Sequence, residues 1–144
     1  PKQMRVVFAG QLKSGVSAKD MILHLITTYS AAGGSGYAIE FAGPAVERLT
    51  VEARLTLCNM AVEFSAFTGI IAPDEKVFEY LKGRPYAPSG ESWQQAKEYW
   101  STLSTDDGSH FDQEIVIDCA TISPTVTWGT SPQQAVSIDV QVPY

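Results

Sequence analysis

Residues 50–69, TVEARLTLCNMAVEFSAFTG, constrain the fold of this chain more than any other stretch. The stretch contains no proline, Thr50 can cap a helix at its start, and Gly69 can end one. Two apolar rows recur at helical steps of three and four residues, which predicts one helix from Thr50 to Gly69 that is buried on several sides. The rows are Val51, Leu55, Cys58 and Val62, and Leu57, Ala61 and Phe64.

One narrow polar row interrupts this apolar surface, formed by Glu52, Thr56, Asn59 and Glu63. On a helix that is buried on several sides, such a row faces either water or a functional site. A solvated face is the simpler interpretation. Asn59 and Glu63 favour the alternative, because they place an amide and a carboxylate one turn apart with no basic residue at helical spacing.

The composition excludes several classes of protein. The length of 144 residues suits one domain, 1–144, with a substantial core. Ten basic against sixteen acidic residues give a net charge of −6, which argues against a nucleic-acid partner. No apolar run approaches the roughly 20 residues that span a bilayer, so no membrane segment is expected. The start at Pro1, without an initiator methionine, suggests an internal segment of a longer protein.

The two cysteines, Cys58 and Cys119, lie far apart in the sequence and form no CxxC motif. Zinc and iron–sulfur sites need three or four ligands, so we expect no metal site built from this chain alone. Two buried thiols in a cytoplasmic protein are the simpler prediction.

Helix and strand signals alternate along the chain, which predicts an α/β fold with a mixed, partly parallel sheet. Ser17 with Asp20 forms a capping box that begins a helix ending near Ala31. The tail 129–144 is expected to leave the domain. Further helices are predicted over 44–49, 74–82 and 91–103, and strands over 4–9, 37–41, 70–72, 112–118 and 122–128.

Three short motifs have both a functional and a structural interpretation. DDGSH, at 106–110, suggests metal binding or acid–base chemistry but is also ordinary turn sequence, and a solvated loop is favoured. GGSG, at 33–36, follows a helix and opens a strand, the reverse of a phosphate-binding loop, so it is interpreted as a tight turn. TWGT, at 127–130, is either a recognition loop or a packed tryptophan before a turn.

Several long stretches resemble the large subunits of 3-isopropylmalate dehydratase, in the aconitase superfamily. They run in family order over nearly the whole chain, and CNMAVE within them is more specific than any short motif alone. The matching stretches are GVSAKDMILHLI, AGGSGYAIEFAGPAVERLTVEARLTLCNMAVEFSAFTGIIAPDE, FEYLKGRPYAP and TVTWGTSPQ.

The resemblance implies a layered αβα aconitase-like domain, the second of three around a four-iron, four-sulfur (4Fe-4S) cluster. The family's ligand cysteines lie outside this segment, and Cys58 matches a cysteine that is not a ligand. Asn59 matches the asparagine that approaches the cluster, and Glu63 matches the glutamate near the water or hydroxyl on the open iron. Both are therefore the expected site residues, with Asn59 as a hydrogen-bond donor to cluster sulfur.

The activity implied for the complete protein is a hydro-lyase reaction in leucine biosynthesis, with a hydroxy-dicarboxylate substrate and a small subunit as partner. 2-Isopropylmalate and 3-isopropylmalate would interconvert through isopropylmaleate, and the isolated segment would be inactive. Ser65 and Phe67 depart from the glycine and arginine of many relatives, so homoaconitase and methylmalate dehydratase activities remain alternatives. A third alternative is a segment that acts only as a structural or interaction domain.

Overall fold

A computed structural model describes residues 1–143 of the chain. These residues form two compact units, the first made of residues 1–71 with the chain from 111 onward and the second of residues 72–110. The assignment of a single domain to 1–144 stays a prediction. In the described chain, no helix is long and apolar enough to cross a membrane.

The first unit contains a four-stranded sheet of order β3-β2-β1-β4, in which every neighbouring pair is parallel. This confirms the α/β class. Antiparallel pairing occurs in a separate two-stranded ribbon, β5-β6. The strands are β1 Lys2–Ala9, β2 Tyr37–Ala42, β3 Thr68–Ile70, β4 Gln113–Asp118, β5 Thr125–Thr127 and β6 Ala135–Ser137.

One face of the sheet carries the hydrophobic core, because alternate strand residues point to the same side. The core-facing side chains of β1 and β2 are Met4, Val6, Phe8, Ile39 and Phe41, each at most 1% exposed. The intervening positions are half-buried or exposed, and Val116 of β4 is 62% exposed. The helices of this unit are α1 Ala18–Tyr29, α2 Pro44–Arg48 and α3 Val51–Met60.

The capping box at the start of α1 forms as the sequence predicts. The Ser17 backbone N–H donates to Asp20 Oδ2 at 2.7 Å, and the Asp20 N–H donates to Ser17 Oγ at 3.4 Å. The second Asp20 oxygen, Oδ1, accepts from the Thr125 N–H at 2.8 Å. Asp20 is buried, so this contact joins the start of α1 to the start of β5.

The helix predicted from Thr50 to Gly69 is shorter in the structure. α3 ends at Met60, a 3₁₀ helix covers Val62–Phe64, and Gly69 lies inside β3. Ser65 has φ 65° and follows the left-handed geometry of a Schellman motif: its N–H donates to Val62 O and the Ala66 N–H donates to Ala61 O.

Tertiary packing at Phe64 accounts for this early end. The Phe64 ring fills the space beside Gly33 and Gly34, where a Cβ on Gly34 would lie 2.8 Å from the ring. The Gly34 N–H also donates to Phe64 O at 2.8 Å. Phe64 therefore packs against the glycine-rich turn, and the helical segment that began at α3 ends there.

The prediction that the tail 129–144 leaves the domain is wrong for residues 135–137. Residues 135–137 turn back as β6 and pair with β5 in antiparallel register, with Val126 opposite Val136. Pro124 precedes β5, which limits that predicted strand to three residues. Tyr144 lies outside the described residues.

The second unit contains two helices, α4 Glu75–Leu81 and α5 Gly90–Ser101, as the sequence predicts. Asp74 caps α4 by accepting from the N–H groups of Lys76 and Val77. Trp93 and Trp100 of α5 meet edge to face at 5.8 Å, and Trp100 stacks on Phe78 of α4 at 6.0 Å between ring centroids. An aromatic cluster thus holds the two helices together.

Candidate functional site

The central segment presents one buried side and one exposed side. Leu57, Ala61 and Phe64 are completely buried, as predicted for the second apolar row. Thr50 begins α3 by accepting from the Ala53 N–H at 3.3 Å. The first apolar row is not buried as predicted, since Leu55 is 56% exposed and Val62 is 67% exposed. The segment is therefore packed on one side rather than on several.

Asn59 and Glu63 are both exposed. Neither side chain makes a hydrogen bond or ion pair with another residue in the 1–143 range. Carboxylates and amides are strong hydrogen-bonding groups, so both are available to a ligand or to another surface.

The two residues face different cavities. Asn59 lines a broad cavity of about 600 Å³ along α3, here called the α3 cavity. Glu63 lines a second cavity of about 250 Å³, here called the loop cavity. The α3 cavity is lined by Lys19, Glu52, Leu55, Thr56, Cys58, Asn59 and Met60. The loop cavity is lined by Lys19, Leu23, Met60, Glu63, Thr127, Gly129, Thr130, Ser131 and Pro132.

Lys19 and Met60 line both cavities and so connect the two predicted site residues. The sequence pattern gives no sign of Lys19, because it lies in the first turn of α1, far from residues 50–69 in the sequence. The stretch GVSAKDMILHLI, which carries part of the family resemblance, contains it. Only the packing of α1 beside α3 brings the ammonium group to this face.

The loop 127–132 also lines the loop cavity, and Thr127, Thr130 and Ser131 are its hydroxyl-bearing residues there. Gln134 holds the loop closed: its side-chain oxygen accepts from the Ser131 N–H at 3.1 Å, and its carbonyl accepts from the Trp128 N–H at 3.0 Å. Trp128 is 40% exposed, so it is not a buried packing residue. Because the 127–132 loop lines the same cavity as Glu63, we favour the interpretation of TWGT as a recognition loop.

A second contact fixes the loop against the end of α1. The Ala31 N–H donates to Gln133 Oε1 at 3.1 Å, across 102 residues of sequence. Together with the Asp20–Thr125 contact, it joins the chain before and after the loop 127–132 to α1 and to the turn that follows α1. The loop cavity is therefore built by long-range contacts.

The described part of the chain contains no set of side chains grouped as a metal site requires. Within residues 1–143 no group of three or more His, Cys, Asp and Glu side chains could hold a metal ion. Both cysteines are free thiols, Cys119 is buried, and desolvation raises the pKa of both Cys58 and Cys119, the latter also because of the Asp118 charge. A cluster at this face would have to be held by other parts of a longer protein.

Arg54 is structural. It is only 4% exposed, and its guanidinium donates to the Glu47 carbonyl at 2.9 Å. It lies on the buried side of α3 rather than with Asn59, so its position gives it no role toward a substrate.

The DDGSH motif and His24 line neither cavity. The motif at 106–110 is exposed throughout, and the Ser109 N–H donates to Asp106 O at 3.1 Å, as in an ordinary turn. His24 of α1 is half-buried, and desolvation lowers its pKa. It lines a separate pocket of about 120 Å³ with hydroxyl residues around β5 and β6.

Comparison with known proteins confirms the resemblance over the whole chain. The model of the aconitase family (aconitate hydratase) matches residues 1–144. The chain is 52% identical over 143 residues to the protein named 3-isopropylmalate dehydratase large subunit 1 from Bradyrhizobium diazoefficiens. The alignment covers 99% of this chain and 30% of that relative, so the chain spans about a third of the relative's length.

Proposed function

Because the chain belongs to the aconitase family, we propose that the complete protein is a hydro-lyase that interconverts 2-isopropylmalate and 3-isopropylmalate through isopropylmaleate. The 52% identity to a protein named as the large subunit of that dehydratase carries the proposal. The reaction belongs to leucine biosynthesis, and the word "large" in the relative's name supports a small subunit as partner. We also propose that the complete protein acts in the cytoplasm.

Asn59 and Glu63 supply this chain's part of the site. A 4Fe-4S cluster held by cysteines elsewhere in the complete protein would act as a Lewis acid on the leaving hydroxyl. The exposed Glu63 carboxylate, at the wall of the loop cavity, accepts a hydrogen bond from the water that leaves or returns and so orients it. The exposed Asn59 amide can donate to a cluster sulfur, an interaction that tunes such centres.

The geometry is consistent with a shared site that this chain only completes. Both side chains are exposed and lack partners within the described residues, while the cysteines lie apart from any ligand group. The segment would therefore form one wall of the site, and neighbouring domains would bring the cluster and the rest of the substrate contacts.

Ser65 and Phe67 differ from the residues of many relatives, so a related hydroxy acid is an alternative substrate. Phe67 is 72% exposed, and an exposed aromatic residue near the central segment can contact a substituent that differs between hydroxy acids. Homoaconitase activity and methylmalate dehydratase activity are two alternatives. The third alternative is a segment that serves only as a structural or interaction domain.

The test is to assay the complete large and small subunits with 2-isopropylmalate, homocitrate and citramalate in parallel. Ultraviolet absorbance of the unsaturated intermediate reports dehydration of each substrate. The proposal predicts the highest kcat/KM for 2-isopropylmalate. A preference for either other acid would replace the substrate, and no dehydration of any of them, in protein shown to contain its cluster, would leave only the interaction role.

A further inference from the structure

Lys19 occupies a position that helix stability does not explain. It is the second residue of α1, which begins at Ala18 after the Ser17 cap. The positive end of the helix dipole lies at this terminus, so a cation in the first turn is disfavoured and an anion is favoured. Residues that break a local rule without a local gain are frequently functional. Lys19 therefore calls for a role outside α1.

The nearest carboxylate in the sequence does not neutralise Lys19 by direct contact. Asp20 uses Oδ2 for the N–H and hydroxyl of Ser17, and Oδ1 for the N–H of Thr125. Lys19 is exposed and makes no hydrogen bond or ion pair with any residue between 1 and 143. Its three N–H donors are available to an incoming anion.

Lys19 lies where a substrate would be held if Glu63 orients water. It lines the loop cavity together with Glu63 and the hydroxyl groups of Thr127 and Thr130. It also lines the α3 cavity with Asn59. Among the described residues it is the only lysine or arginine lining either cavity, in a chain whose net charge is −6. A dianionic substrate would need a local positive group at this face.

We propose that Lys19 binds one carboxylate of the hydroxy-dicarboxylate substrate in the loop cavity, with hydroxyl groups of the 127–132 loop as further donors. The proposal rests on the proposed function, because it assumes that the substrate is a dicarboxylate. Attraction to Lys19 and repulsion from Glu63 would orient the bound molecule, so that its carboxylate points to α1 and its departing hydroxyl to Glu63.

The kinetic test uses the complete two-subunit enzyme carrying Lys19→Met, with Lys13→Met as a matched control. Lys13 is an exposed lysine six residues earlier that lines neither cavity. Loss of a charge-assisted hydrogen bond is expected to raise KM for 2-isopropylmalate by about 10- to 100-fold, with kcat changed less than about threefold. Lys19→Arg is expected to recover most of the affinity, and Lys13→Met to behave as wild type.

The binding test compares succinate with succinamate, which has one carboxylate replaced by an amide. These probes lack the isopropyl group, so they do not depend on which hydroxy acid the enzyme converts. By titration calorimetry, the wild-type enzyme should prefer succinate by about tenfold or more, and Lys19→Met should lose that preference while Lys13→Met keeps it. A merely structural role for Lys19 would weaken both probes equally.

Failure of the proposed substrate and failure of the Lys19 assignment give different results in these tests. A wild-type enzyme that prefers succinate, loses that preference in Lys19→Met and does not dehydrate 2-isopropylmalate contradicts the proposed substrate and supports the Lys19 assignment. An unchanged succinate preference in Lys19→Met, or no preference in the wild type, overturns the Lys19 assignment whatever the enzyme dehydrates.

Discussion

Glu63 is the side chain of this chain that we place nearest the departing water. Replacing it with glutamine keeps its size and exposure but removes the negative charge that accepts the water's hydrogen bond. In the complete enzyme, Glu63→Gln is expected to lower kcat by about 10²- to 10⁴-fold with a small change in KM, because the interaction strengthens in the transition state. Steady-state kinetics with 2-isopropylmalate measures this change.

Glu52→Gln is the matched control for that variant. Glu52 is an exposed glutamate of the same polar row and lines the α3 cavity, whereas Glu63 lines the loop cavity. We expect near wild-type kinetics from Glu52→Gln. Equal losses from both variants would mean that the negative charge of the whole row matters and that Glu63 has no specific role.

Ser65 shows how a residue can be held in an unfavourable backbone geometry. Its φ of 65° disfavours a residue with a Cβ, while its hydroxyl donates to Ala31 O at 2.8 Å. Ser65→Ala loses the hydrogen bond and keeps the strain, so the free energy of unfolding should fall by about 1 kcal/mol. Ser65→Gly also loses the bond but relieves about 1 kcal/mol of strain, and should remain within about 0.5 kcal/mol of wild type.

Urea denaturation of the 144-residue chain measures both free energies. The informative quantity is the difference between the two variants, because they lose the same hydroxyl. If Ser65→Gly unfolds as easily as Ser65→Ala, the left-handed geometry carries no strain and the Schellman motif tolerates serine freely.

At the scale of elements, α1 organises the site more than its position in the sequence indicates. Asp20 caps α1 and also holds the start of β5, and Ala31 holds Gln133 of the following loop. The loop cavity lies between these contacts and contains Lys19 from the same helix. These two contacts, on either side of the 127–132 loop, place its hydroxyl-bearing residues beside Lys19 and Glu63.

Asp20→Ala and Ser17→Ala separate the two roles of the capping box. Ser17→Ala removes helix capping alone and should lower the free energy of unfolding by about 1 kcal/mol. Asp20→Ala also removes the hydrogen bond to the Thr125 N–H, so it should cost about 2–3 kcal/mol. Chemical denaturation gives both values, and hydrogen exchange at the Thr125 amide should accelerate only in Asp20→Ala. Equal losses and unchanged exchange would show that Asp20 acts on α1 alone.

At the scale of the whole molecule, this chain would form part of the proposed site, and its described residues contain no metal-binding group of their own. No set of three ligands occurs there, and burial raises the pKa of both thiols. Reconstitution of this chain with iron and sulfide should therefore produce no broad visible absorbance. The complete large subunit, treated in the same way, should acquire it.

Cys58→Ser in the complete large subunit provides the control for that experiment. Cys58 lines the α3 cavity beside Asn59 and is half-buried, so it is the better placed of the two cysteines to reach a cluster. We expect cluster content, measured as iron and sulfide per protein, to be unchanged. A loss of iron in this variant, or visible absorbance from the short chain, would contradict the assignment of the ligands to other parts of the protein.

Local patterns determined most elements of this protein. The capping box, the alternation in β1 and β4 and the glycine-rich turn depend on neighbouring residues, so their signals can be read directly, and long matching stretches indicated the family. Tertiary structure decided the rest. Phe64 packing on Gly33 and Gly34 ends the central helix early, the tail folds back as β6, and α1 brings Lys19 to the face with Asn59 and Glu63. The Phe64 and Lys19 features depend on contacts between residues tens of positions apart, and Val126 pairs with Val136 across ten positions, which no local periodicity encodes.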